Sequence, residues 1–101
     1  MLIDYAGRAI RLTDERLRHV LEHPEMAGME PLIGSALATP DLVVQSASDP
    51  DVALYYLPAR ATVLGNMRIC VVVKYEAGGG FVLTAYLTDK PKKGSQLWPK
   101  K

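Results

Sequence analysis

The chain has 101 residues, 49% of them hydrophobic and 23% charged, with a formal net charge of +1. These values exclude a mostly disordered chain and leave room for one core rather than two, so a single domain over residues 1–101 is expected. The single cysteine, Cys70, has no internal disulfide partner, which points to a reducing, cytoplasmic setting; no basic segment leads into a long apolar run, so neither a signal peptide nor a membrane span is expected.

Leu2 to Leu12, with Gly7 at its centre, reads as a short strand or hairpin. Thr13 is placed to cap a helix, and Asp14 and Glu15 suit the positive end of the helix dipole. Leu17, Val20 and Leu21 then give an amphipathic stripe that Pro24 ends. Arg16, His19 and His23 fall on a neighbouring face of the same helix, close enough in angle to act together. Pro31 opens a second helix whose buried side is Leu32, Ile33, Ala36 and Leu37, and Pro40 closes it.

Strand patterns follow, over Leu42 to Gln45 and Val52 to Leu57, separated by the turn residues Ser48-Asp49-Pro50-Asp51. Arg68 to Tyr75 and Phe81 to Thr88 complete the set as a hairpin, with the five residues Glu76 to Gly80 as its connection. Pairing Tyr75 with Phe81 puts Phe81, Leu83, Ala85 and Leu87 beside Ile69, Val71 and Val73 on an apolar face. Arg68, Cys70, Val72 and Lys74 then share the other face with Thr88, Tyr86, Thr84 and Val82. The expected fold is α+β: two N-terminal helices packed on a four-stranded antiparallel sheet, with a short N-terminal strand or hairpin and a basic tail from about residue 90 that is loosely ordered except where Leu97 and Trp98 dock on the body.

Charge separates along the chain. Residues 1–50 hold eight acidic and four basic side chains, net −4, whereas residues 51–101 hold eight basic and three acidic, net +5. A basic sheet half suits a polyanion such as RNA. His19 to His23 also matches the H-x-x-E-H pattern of zinc proteases, a distant third reading, because such sites need a third ligand on another element and Pro24 abuts the second histidine; no metal or other cofactor is expected. Without metal, RNA cleavage needs a base, an acid and cations for the phosphorane. His19 or His23, Lys74, Arg68, Tyr86 and Thr84 supply those chemistries. Gly78-Gly79-Gly80 reads as a turn rather than a phosphate loop, because a strand and not a helix follows it.

Arg18-His19-Val20, His23-Pro24-Glu25-Met26, Pro40-Asp41-Leu42-Val43, Leu54-Tyr55-Tyr56, Val71-Val72-Val73-Lys74, Phe81 to Tyr86, and Lys92-Lys93-Gly94 before Leu97-Trp98 form an ordered series over roughly residues 12–98. Together they resemble the phage and mobile-element nucleases grouped with barnase, EndoU, colicin and RelE toxins. The resemblance implies a metal-independent endoribonuclease or RNase-like toxin, with RNA and an antitoxin or immunity protein as partners. It places active residues at His19, His23, Tyr56, Lys74, Thr84 and Tyr86. In the resulting expectation His19, His23, Lys74, Thr84 and Tyr86 are catalytic, and Tyr56, Arg60, Arg68, Lys92 and Lys93 hold substrate. The competing reading is a non-catalytic domain that binds nucleic acid or an acidic protein.

Overall fold

The computed structural model describes residues 1–62 and 65–100, and the side chains of all of these except residues 60–62 and 65. Strands β1 (Leu2–Ile3) and β2 (Ala9–Arg11) come first, followed by helix α1 (Asp14–Leu21), a 3₁₀ turn (Pro24–Met26) and helix α2 (Glu30–Ala38). Strands β3 (Leu42–Ser46), β4 (Val52–Thr62), β5 (Gly65–Glu76), β6 (Gly79–Thr88) and β7 (Gly94–Trp98) complete the described elements.

One mixed sheet takes all seven described strands, in the order β1-β2-β6-β5-β4-β3-β7. This corrects the expected four-stranded antiparallel sheet. Its centre, β3 to β6, is antiparallel, but β2 adds to β6 in parallel and the tail adds to β3 as β7. Both additions are non-local pairings of short segments, three and five residues long, and such pairing has no periodicity of its own to read. The C-terminal stretch expected to be loose is thus a strand from Gly94 to Trp98.

The glycine run serves this topology. Gly78 (φ +78°) makes the tight turn between β5 and β6, while Gly79 and Gly80 already belong to β6 and pair with Ala9 and Ile10 of β2. A side chain on Gly79 would collide with the Ala9 carbonyl, so β2 can lie there only against glycine.

Pairing between β5 and β6 follows the expected register from Arg68 opposite Thr88 to Val72 opposite Thr84. It then shifts, with Val73 opposite Val82 and Lys74 opposite Phe81, so Leu83 is an extra residue in β6. Beyond this bulge the faces exchange. Val82 is buried on the helix side, and Phe81, expected in the core, stands beside Lys74 on the opposite side. The Tyr75–Phe81 pairing and the apolar assignment of Phe81 and Leu83 are therefore corrected.

Both helices cover one side of the sheet, where Val20, Met26, Ile33, Ala36 and Leu37 pack on Val43, Ala53, Tyr55, Ile69, Val71, Val73, Val82 and Ala85. A smaller apolar cluster occupies the other side: Val44, Leu54, Tyr56 and Cys70, flanked by Leu42, Val72 and Tyr86. Residues 89–93 connect β6 to β7 past β5, β4 and β3. Four inter-strand spacings come to about 19 Å, and six Cα steps reach about 21 Å, so this strap is nearly extended. It crosses the side away from the helices, where the Lys92 amide donates to the Tyr56 hydroxyl at 2.9 Å.

Candidate functional site

Helix α1 begins where β2 stops pairing with β6. Thr13 caps it, its hydroxyl accepting from the Arg16 amide at 3.1 Å, and Leu17, Val20 and Leu21 turn into the helix-side core. That anchoring leaves Glu15, Arg16 and His19 exposed. Glu15 and His19 are one turn apart, and Arg16 lies on the adjoining row.

Two clefts meet at this helix. One of about 290 Å³ is lined by Thr13, Glu15, Arg16 and His19. The second, about 260 Å³, is lined by Arg11, Thr13, Arg16, Phe81 and Val82. Thr13 and Arg16 line both, so the two clefts adjoin at these residues; together they make up the α1 groove, which has Glu15 and His19 at one end and Arg11 and Phe81 at the other. At its far end the Arg11 guanidinium lies 5.5 Å from the centre of the Phe81 ring and is ion-paired with Glu76. Among the described residues Arg16 makes no ion pair, which leaves its charge available to an anion in the groove.

The remaining expected residues are dispersed. His23, expected on the same helix face as His19, instead lies beyond the end of α1 with extended backbone (φ −72°, ψ 124°), exposed at the start of the 3₁₀ turn, and lines neither cleft. Lys74, Thr84, Tyr86, Arg68 and Tyr56 share the strap side of the sheet, opposite the core into which α1 packs. Among the described residues no hydrogen bond joins either histidine to Lys74, Thr84 or Tyr86. Arg60 lies in β4, and its side chain falls outside the described residues.

Two of the cations on the strap side already have partners. Lys74 donates to Asp49 at 2.6 Å and Arg68 to Asp41 at 2.7 Å. The Asp49 carboxylate raises the Lys74 pKa, and the ammonium in turn holds Asp49 below its ordinary value. Tyr86 is raised by burial and by the neighbouring Cys70 thiol. Tyr56 is pushed up to about 12 by burial, against the opposing hydrogen bond from the Lys92 amide. A phenol held protonated in a fixed contact is poorly suited to exchange protons near neutral pH. Lys92 and Lys93 are exposed on the strap, with the Lys92 backbone serving as its anchor.

The sequence reading did not anticipate a second polar cluster on the helix side. Asp4 is buried and accepts from the amides of Ala6 (3.0 Å) and Arg8 (2.8 Å), from the Arg8 guanidinium (2.8 Å) and from the Tyr55 hydroxyl (2.6 Å). A phenol has one hydrogen, so Tyr75, 2.7 Å from Tyr55, must donate to it. Arg8 also lies over the Tyr75 ring at 4.6 Å. No buried side-chain polar atom of this cluster lacks a partner, which marks it as a structural tie between the N-terminus and the sheet centre.

Arg11, Glu15 and Phe81 were also missed as site residues. The Arg16–His19 stripe was legible from helical spacing; Arg11 and Phe81 depend on a parallel pairing and a bulge. Among the described residues no three His, Cys, Asp or Glu side chains converge to hold a metal ion. No described helix is long and apolar enough to cross a membrane. No protein-family model, curated protein or solved structure matches the chain.

Proposed function

We propose that the chain is a metal-independent endoribonuclease whose reaction occurs in the α1 groove. The observation that carries this reading is that Glu15, Arg16 and His19 line one cleft, so a base, an acid and a cation with no ion-pair partner among the described residues stand together. In this scheme the Glu15 carboxylate takes the proton of a ribose 2′-hydroxyl as its oxygen attacks phosphorus. Arg16 stabilises the charge on the phosphorane oxygens, and His19 gives a proton to the departing 5′-oxygen. The products are a 2′,3′-cyclic phosphate and a 5′-hydroxyl. The resemblance to the barnase and RelE group supports the same chemistry. An antitoxin or immunity protein acting on such an enzyme would have to cover this groove.

The test is incubation of the purified protein with total RNA in EDTA, followed by end analysis. Cleavage to cyclic phosphate ends is expected, with losses on the order of 10²- to 10⁴-fold in His19→Ala and Glu15→Gln. Intact RNA with the wild-type protein, or equal cleavage by His19→Ala, overturns the assignment.

A further inference from the structure

We propose that Phe81 is the stacking platform for an unpaired nucleobase and that the groove therefore takes single-stranded RNA; this rests on reading the groove as a ribonuclease site. Phe81 is the chain's only phenylalanine, and the bulge at Leu83 turns it out of the helix-side core to a half-buried position at the groove's end. Bulges commonly re-aim a side chain in this way beside functional sites. In β2, Arg11 is its parallel partner, and the guanidinium sits 5.5 Å from the ring centre.

Charge divides the groove. Glu76 pairs with Arg11 and neutralises it, so the Phe81 end presents two flat groups, a ring and a guanidinium, with little net charge. Phosphate is better served by Arg16, which has no carboxylate partner among the described residues. A flat, weakly charged subsite beside a cationic one matches a nucleotide with its base on Phe81 and its phosphate at Arg16. Stacking on an aromatic ring needs a base free of its neighbours, whereas in a duplex both base faces are already covered.

The experiment measures anisotropy of a labelled 2′-O-methyl tetranucleotide, which has no 2′-hydroxyl to react, and of the same backbone carrying abasic residues. Wild type, Phe81→Leu and Phe81→Trp are compared. Phe81→Leu is expected to weaken binding of the base-bearing ligand by about 5- to 150-fold, the range for loss of one stacked base. Binding of the abasic ligand should be unchanged, and Phe81→Trp should bind like wild type. Equal affinity of wild type and Phe81→Leu overturns the proposal, as does an equal loss on both ligands or equal competition by a duplex of the same sequence. The expected binding pattern in a protein that leaves RNA intact upholds the base subsite and overturns the catalytic reading. Failure to bind either ligand overturns the base subsite, and the catalytic reading then stands or falls on cleavage of total RNA alone.

Discussion

The Tyr55 hydroxyl donates to the buried Asp4 carboxylate at 2.6 Å, joining residues 51 positions apart and closing the N-terminal turn onto the centre of the sheet. Burial works to raise the Asp4 pKa, but hydrogen bonds from Tyr55, Arg8 and Ala6 outweigh it and hold the carboxyl below its ordinary value of 3.8. Tyr55 moves the other way: burial and its donation to Asp4 raise it above 10.0.

The signs of those shifts define a stability plateau. A depressed carboxyl stabilises the fold above its unfolded pKa, about 3.9, and this contribution is lost as pH falls through the folded value. A raised phenol contributes fully below its unfolded pKa, about 10, and that contribution is lost as pH rises further. Urea melts should therefore show stability falling below about pH 4, with a shallower acid limb in Asp4→Asn. Tyr55→Phe should cost about 1.5–3 kcal/mol at neutral pH, the range for a hydrogen bond to a charged group.

Groove and strap side should separate in a panel of RNA-cleavage assays. Arg16→Ala is expected to lose activity with His19→Ala, while His23→Ala and Lys74→Ala remain within a few-fold of wild type. Lys74 is already paired with Asp49, and His23 lines neither cleft. If Lys74→Ala were as inactive as His19→Ala, the strap side would be the better site.

Tyr56→Phe removes the acceptor for the Lys92 amide and leaves the ring in place. Amide exchange at Lys92 should accelerate, and stability should fall by about 0.5–1.5 kcal/mol. An unchanged Lys92 exchange rate would show that other contacts hold the strap.

Cys70 belongs to the same strap-side cluster as Tyr56, fully buried, with its thiol raised by burial. A buried, protonated thiol is a poor nucleophile, so thiol reagents should label native protein slowly and unfolded protein at once. Rapid native labelling would indicate that the strap opens readily.

Gly94→Ala tests the tail strand. An added methyl group would meet the Gln45 carbonyl and come within 2.7 Å of Val44 Cγ1, so the start of β7 would have to move away from β3. Loss of amide protection across β7, with β4 to β6 intact, is the expected signature in hydrogen exchange.

The sequence alone determined the parts governed by local rules. Thr13 and Pro24 bound α1, Pro31 and Pro40 frame α2, and alternation together with Gly78 defines the β5–β6 hairpin from Arg68 to Val72. The stripe of Arg16 and His19 was likewise readable, since helical spacing fixes which residues share a face.

Tertiary structure decided the rest. One inserted residue, Leu83, reverses the facing of everything on its turn side, so alternation counted from Thr88 misplaces Phe81. Arg11 meets Phe81 only because a three-residue strand pairs in parallel with residues some 70 positions away, and the Tyr56 hydroxyl meets the Lys92 amide only because the strap crosses it. Those contacts join distant segments through backbone groups common to every residue, so side-chain pattern carries almost no record of them. The hairpin's polar side looked like the site because its side chains suit the chemistry. Its cations are instead matched by Asp41 and Asp49, whereas the edge of β6 beside α1 leaves Arg16 uncompensated among the described residues.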